Sequence, residues 1–105
     1  MIPINILYVT SEACPFAKTG GLGDVAGSLP PAIKKHGYDI RVVLPLHRHI
    51  KERYIKGMER IAQFNIHLGW RNQYVGVFKL KYGDIIFYFI DNEYYFNRDN
   101  IYGEF

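Results

Sequence analysis

A single cysteine, Cys14, is all the thiol chemistry in this 105-residue sequence. It cannot close an internal disulfide, so the fold has no disulfide framework, and the lone thiol points to a reducing compartment. Long apolar runs are missing too: no stretch approaches the roughly 20 residues a helix needs to cross a bilayer. The opening MIPINILYVTSE has neither a basic leading region nor a small-residue cleavage site, which reads as no signal peptide. Charge of one sign is scarce, since thirteen Lys and Arg against ten Asp and Glu leave a net +3. The basic residues are scattered, with no run longer than Lys34 and Lys35, and without a basic stripe no nucleic-acid partner is expected. There are no repeats, low-complexity tracts or linkers, so the chain reads as one domain with no internal boundary.

What the sequence does have is an ordinary globular balance, 49% apolar and 22% charged, with an unusual aromatic load. Of its nine tyrosines and seven phenylalanines, most fall after residue 63, and such a load calls for a larger core or a partner surface. INILYVT (Ile4 to Thr10) is short and almost continuously apolar, the pattern of a parallel strand buried on both faces. Leu22, Val25, Ala26, Leu29 and Ile33 then recur at helical spacing and predict one apolar helix face. Lys34, Lys35 and His36 suit its last turn, and Gly37 its end. DIRVVLP (Asp39 to Pro45) is a second buried strand, which completes a βαβ unit. Pro30 and Pro31 complicate the helix: it starts late with Ser28 as N-cap, or it starts near Gly21 and bends at the prolines. A two-turn helix is too short to join parallel strands comfortably, which favours the bent one. Residues 47 to 57 read as a loop and a short helix. IAQFNIHL and YVGVFKLK, joined by GWRNQ, predict an antiparallel hairpin, and IIFYFI a strand that rejoins the parallel sheet.

The segment KTGGLGDVAG, residues 18 to 27, lies at the carboxyl end of the first strand. There a following helix offers unpaired N–H groups and about half a positive charge, which favours an anion. Gly20, Gly21 and Gly23 are free to take positive φ and carry no Cβ, so a ligand has access to the backbone. Lys18 adds a mobile charge at the lip. The formal motifs fit poorly: a Walker lysine follows its last glycine, and Gly21, Gly23 and Gly27 give GxGxxxG rather than the dinucleotide fingerprint. Two readings stay open from the residues alone, a cradle for a phosphate or sugar phosphate and a structural glycine turn.

The run ILYVTSEACPFAKTGGLGDVAGSLPPAIKKHGYDIRVVLP resembles the N-terminus of bacterial glycogen synthases and plant starch synthases. These open with a strand, then S-E-x-x-P-F/L-x-K-T-G-G-L-G/A-D-V, a proline-bearing helix and a V-x-L-P strand. FYFIDNEYYFNRDNIYG (Phe87 to Gly103) is similar to the family's F-I-D-x-x-x-Y-F-x-R-x-x-x-Y-G segment. The resemblance implies an α/β fold: the Rossmann-like N-terminal part of a two-domain GT-B glycosyltransferase, with a β-hairpin inserted in a parallel sheet. Residues 1–105 would be a part of that N-terminal domain, with the C-terminal domain outside them. It implies transfer of glucose, with retention, from ADP-glucose to the non-reducing end of an α-1,4-glucan, in the cytoplasm, with no cofactor and no metal. By the same resemblance Lys18, Gly20 and Gly21 contact the sugar nucleotide, Asp24 holds the acidic position of the motif, and Tyr102 lies near the sugar subsites. No catalytic residue is expected within these residues, so the isolated chain is expected to be inactive. His47 departs from the family pattern, where a tyrosine is common.

Other residues invite chemistry less strongly. Cys14 reads as a packed loop thiol rather than a nucleophile, because no histidine is near it in sequence. His47 and His49 lack a third metal ligand in view and read as solvated surface. Glu12 is expected to bond the loop backbone rather than face the site, and Trp70 with Arg71 to form a plain turn bearing an exposed aromatic. Two further hypotheses stand beside the enzyme part: a non-catalytic module that grips a phosphate or glucan, and a structural fragment that assembles only with the rest of a longer chain.

Overall fold

The computed structural model describes residues 4–92. Five strands form one sheet: β1 (Asn5–Val9), β2 (Asp39–Pro45), β3 (Glu59–Leu68), β4 (Arg71–Tyr82) and β5 (Ile85–Asp91). Two helices, α1 (Gly21–Lys34) and α2 (Arg48–Tyr54), the second extended by a 3-10 turn at Ile55–Gly57, complete the chain order. The spatial order is β1-β2-β5-β4-β3. β1, β2 and β5 run parallel, and β4 and β3 add to β5 as antiparallel strands. The expected βαβ unit, hairpin and returning apolar strand are therefore all present. The hairpin loop is shorter than GWRNQ suggests: β4 begins at Arg71, and only Gly69 and Trp70 turn the chain. Gly69 takes φ +63, the left-handed conformation that tight two-residue hairpin turns require.

Helix α1 begins at Gly21 and runs through both prolines to Lys34, so the late start at Ser28 does not occur. Pro30 and Pro31 each lack the N–H that a helix interior donates to the residue four back. Ser28 makes a different bond, its hydroxyl donating to the Asp24 carbonyl at 2.9 Å. The C-terminus closes as expected, with the Gly37 N–H on the Lys34 carbonyl and Gly37 at φ +92. Only part of the predicted apolar face turns inward, Ile33 packing half-buried against the core. Ala26 is buried, but Leu22, Val25 and Leu29 are exposed, and the inward side consists of Gly23, Ala26 and Pro30. Close approach explains the difference: a Cβ on Gly27 would stand 2.9 Å from the Cys14 carbonyl oxygen, a spacing that only small residues permit.

Both helices lie on one face of the sheet. Ala26 and Ile50 join Ile40, Val42, Leu44, Phe78, Phe87 and Phe89 in a single core. Phe16, from the loop after β1, stands at its centre. Its ring meets Tyr54, Tyr82, Phe87 and Phe89 edge-on, at centroid distances of 4.9, 5.3, 4.9 and 5.1 Å, the geometry that aromatic quadrupoles favour. The opposite face is different. The register aligns Leu7 and Val9 with Arg41 and Val43, and these with Ile86 and Tyr88, and no helix covers them among the described residues. Leu7 and Val9 are 59% and 73% exposed, where parallel strands are ordinarily covered on both faces. The isolated chain is expected to bind a hydrophobic dye such as anilinonaphthalene sulfonate while keeping its cooperative unfolding transition. Leu7→Lys with Val9→Lys should remove most of that fluorescence and shift the urea midpoint little; unchanged fluorescence would place the exposed apolar surface elsewhere.

Candidate functional site

The loop between β1 and α1 is built outward from Thr10, the first residue past β1. Its N–H donates to the Val43 carbonyl at 3.0 Å, in line with the parallel ladder. Its hydroxyl donates to the Glu12 carbonyl at 2.7 Å and accepts from the Glu12 N–H at 3.3 Å. A tight turn follows, the Phe16 and Ala17 N–H groups both donating to the Ala13 carbonyl. The Cys14 N–H ties this turn to α1 through the Gly23 carbonyl at 3.0 Å. The chain then reaches Lys18 and the glycines at the N-terminus of α1.

Glu12 is the polar centre of the loop. Its side chain is buried, the residue being 1% exposed, and it turns toward the helix N-terminus. Oε1 accepts from the Gly23 N–H at 2.9 Å and from the Thr19 and Gly20 N–H groups at 3.3 Å. Oε2 accepts from the Thr19 hydroxyl at 2.5 Å. A carboxylate accepts at several lone-pair sites and is favoured at the positive end of a helix, so an internal anion already stands there. The expected bond from Glu12 to the loop backbone is therefore present, with more partners than sequence spacing conveys. The signal available in the sequence was a carboxylate two residues past the apolar run Ile4–Thr10 and eight before Gly20.

Lys18 and Asp24 face solvent together. Lys18 Nζ lies 2.9 Å from Asp24 Oδ1, with the two side chains 50% and 56% exposed. The hydrogen bond to Asp24, and then its charge, hold the Lys18 ammonium above its ordinary range. An exposed pair of this kind adds little to folding; its effect is to hold the lysine head beside the first turn of α1. Gly20 and Gly21 are exposed, and a Cβ on either would meet nothing within 4 Å. The glycines do not serve the backbone conformation expected of them: positive φ occurs among the described residues only at Gly37, Gly69 and Gly83. Gly20, at φ −171, is extended backbone open to any residue. Of Gly20, Gly21 and Gly23, only Gly23 is crowded, since its Cβ would stand 3.1 Å from Glu12 Oε1 and from Lys18 Cα. The first N–H groups of a helix lack intrahelical partners. Glu12 takes those of Gly20 and Gly23, and the first-turn amides of Gly21 and Leu22 lie beside the open surface. Lys18, Gly20, Gly21 and Asp24 are thus brought to one lip, whereas Tyr102 falls outside the described residues.

The remaining candidates separate. His47 is buried, not solvated, its Nε2 lying 3.4 Å from the Ser11 carbonyl and its ring stacked on the exposed His49. Burial in the first place, and the neighbouring His49, push its imidazole below the ordinary value, with the Ser11 contact acting the other way. Trp70 is exposed, with the Arg71 guanidinium 4.9 Å from its ring, as a plain turn would have it. A hollow of about 580 Å³ between α2 and the hairpin includes Lys51 and Asp91 but none of the Lys18 loop. Beside the loop, a cleft of about 480 Å³ runs from Asp24 along Gly27 to Tyr82 and Phe87.

Parallel strands whose carboxyl ends carry a glycine loop, a helix N-terminus and a lysine define an α/β protein of the Rossmann-like class, where ligands approach at that edge. More particularly, the chain belongs to the starch synthase catalytic domain family, whose model matches residues 5–105. It is 52% identical over 101 residues to a glycogen synthase of Clostridium novyi, covering 96% of this chain and 21% of that relative. It is 53% identical over 102 residues to a glycogen synthase of Finegoldia magna, covering 97% of this chain and 22% of that one. The chain therefore spans about a fifth of the length of the curated relatives it matches. Among solved structures, the catalytic domain of starch synthase IV from Arabidopsis thaliana, bound to ADP and acarbose, superposes with a TM-score of 0.83. The match covers 98% of this chain and 22% of that one at 20% identity, a likeness of fold.

Two outcomes test this geometry. Gly23→Ala is expected to cost about 1–3 kcal/mol, as overpacking of a filled site does, while Gly20→Ala stays within about 1 kcal/mol. Urea denaturation of the two variants reads the difference, and equal costs would contradict the close approach at Gly23. Because the folded state lowers the affinity of His47 for a proton, its contribution is complete above about pH 6.5 and is lost as pH falls through the folded value. The urea midpoint should therefore drop between about pH 7 and pH 5, and His47→Gln should flatten that part of the profile; an unchanged slope would show that another group titrates there.

Proposed function

We propose that this chain is the N-terminal portion of a glycogen synthase of the GT-B type, a glycosyltransferase of two Rossmann-like domains. In this reading the whole enzyme moves glucose from ADP-glucose to the non-reducing end of an α-1,4-glucan with retention, in the cytoplasm. Residues 1–105 form part of its first domain, and a C-terminal domain supplies the remaining donor contacts and the catalytic groups. The observation that carries the reading is the lip where Lys18 meets the open Gly20–Gly21 backbone at the positive end of α1. Its support is membership in the starch synthase family and a fold neighbour that carries ADP.

The chemistry suits that lip. Breaking the bond between the anomeric carbon and the diphosphate builds negative charge on the departing phosphate. Donors already aimed at that position stabilise the transition state without reorganising. Lys18 supplies a compact charge for the phosphate, and the Gly21 amide a short-range donor with no Cβ in the way. Asp24, bonded to Lys18 at 2.9 Å, holds the ammonium at the lip until the donor arrives. Tyr102 is assigned by its motif to the neighbouring sugar subsites. Neither a bound metal nor a cofactor has a part in this scheme. The second face of the sheet, which no helix covers among the described residues, accords with a domain completed by further chain.

In a synthase polypeptide that carries this segment, Lys18→Ala is expected to weaken ADP-glucose binding by about tenfold or more, as loss of a charge-assisted contact does. The KM for glucan should stay unchanged. Calorimetry with ADP, together with steady-state kinetics in both substrates, provides the measurement. A Lys18→Ala enzyme with unaltered affinity for ADP-glucose would overturn the assignment. The 105-residue chain alone should show no glucosyl transfer to glycogen.

A further inference from the structure

We propose that Glu12 is the positioning residue of the Lys18 lip: its carboxylate sets where Lys18 and the Gly21 amide stand. This rests on the reading that those two groups face the diphosphate of the sugar nucleotide. Glu12 does not itself reach the ligand side. It is 1% exposed and lies beneath the loop, and its main chain is clamped at both the N–H and the carbonyl by the Thr10 hydroxyl. From that fixed base the two carboxylate oxygens hold three successive points of the chain. Thr19 is gripped twice, through its N–H and its hydroxyl, Gly20 once and Gly23 once.

The consequence is geometric. Thr19 follows Lys18 directly, so fixing its amide plane fixes the carbonyl end of Lys18. The Lys18 Cα is in turn pressed against Gly23, where a Cβ would come within 3.1 Å of it. Gly21 and Leu22 are spanned by the Gly20 and Gly23 bonds, so their N–H directions follow from the same carboxylate. A loop that met the helix N-terminus without this internal acceptor would leave the buried Gly23 N–H without a partner and the half-covered Thr19 and Gly20 N–H groups without theirs, at a cost that favours other conformations. Glu12 also keeps a ligand anion from sinking into the amides it already occupies, which leaves the outer donors for the diphosphate.

Acceptor geometry and negative charge are separable here. In Glu12→Gln the amide oxygen still accepts from the three N–H groups and the NH2 donates to the Thr19 hydroxyl, while the charge is gone. Glu12→Asp keeps the charge but withdraws the oxygens by one methylene, and Glu12→Ala removes both. In a synthase polypeptide carrying this segment, KM for ADP-glucose, KM for glucan, kcat and the ADP dissociation constant are measured for these variants beside Lys18→Ala. Glu12→Ala and Glu12→Asp are expected to raise KM for ADP-glucose by about tenfold or more, the scale of a misplaced contact, with KM for glucan unmoved. Glu12→Gln is expected to recover most of that loss. A merely structural role would lower the active fraction, and thus apparent kcat, without moving KM for one substrate. If Glu12→Ala does not fold, Glu12→Asp decides. An unchanged KM for ADP-glucose in folded Glu12→Asp overturns the proposal, and so does a Glu12→Gln loss as large as that of Glu12→Asp. Should Lys18→Ala itself leave ADP affinity intact, the diphosphate reading fails, whatever the Glu12 variants do.

Discussion

The loop from Thr10 to Gly20 has no regular secondary structure to hold it, and Phe16 is what holds it down. Its ring is sunk among Tyr54, Tyr82, Phe87 and Phe89, three of which come from the hairpin and the returning strand and one from α2. Truncating a phenylalanine buried this way to alanine costs on the order of 3–5 kcal/mol, a large share of the stability of so small a domain. The turn at Ala13 to Ala17 can therefore take only one place over the sheet, and the residues on either side of it, Glu12 and Lys18, inherit that place. The core made by distant strands thus determines the position of a loop near the start of the chain.

Electrostatics adds a second layer. The positive end of α1 is a natural anion site, and the protein has put its own carboxylate in the deeper part of it. The outer part stays open, with Lys18 paired to Asp24 beside the backbone at Gly20 and Gly21, and the proposed function places the phosphate there. Such an arrangement gives a preorganised site of modest strength. Under the proposed function, modest strength suits a group that releases a nucleoside diphosphate after each transfer, since interactions made equally in ground and transition states do not speed the chemical step.

The sheet shows a corresponding asymmetry. One face is filled by Ile40, Val42, Leu44, Phe87 and Phe89 beneath both helices, while the other carries Leu7, Val9, Val43 and Ile86 with no helix over them among the described residues. On that side Arg41 bonds the Tyr88 hydroxyl, lies 5.9 Å from the Tyr88 ring and stands 3.6 Å from Asp39, so polar groups interrupt the apolar surface. Uncovered parallel strands are uncommon because their apolar residues gain nothing from water, in keeping with a chain that spans about a fifth of its relatives' length.

Much of this was open to a reader of the sequence. The continuous apolar runs at Ile4–Thr10, Asp39–Pro45 and Ile85–Ile90 announce strands, but their expected burial on both faces is not met. β2 and β5 bury alternate residues and the edge strand β1 leaves Leu7 and Val9 exposed, because the run of apolar residues does not say which face is covered. The K-T-G-G motif placed Lys18 and its glycines at a strand end. Periodicity misjudged α1, because hydrophobicity counts Leu22 and Val25 as core whereas contact distance favours Gly23 and Ala26, and no local rule weighs the two. Nor does any local rule sink Phe16 into an aromatic cluster whose members lie some 38 to 73 residues further along. His47 likewise looks like loop surface until β1 brings Ser11 beside it. Local sequence thus determined the elements and the chemical character of the lip, since both follow from residue type and spacing. Only the tertiary structure decided which side of α1 is buried, which amides Glu12 occupies and where Lys18 stands, because those depend on contacts between segments that no window of the sequence contains.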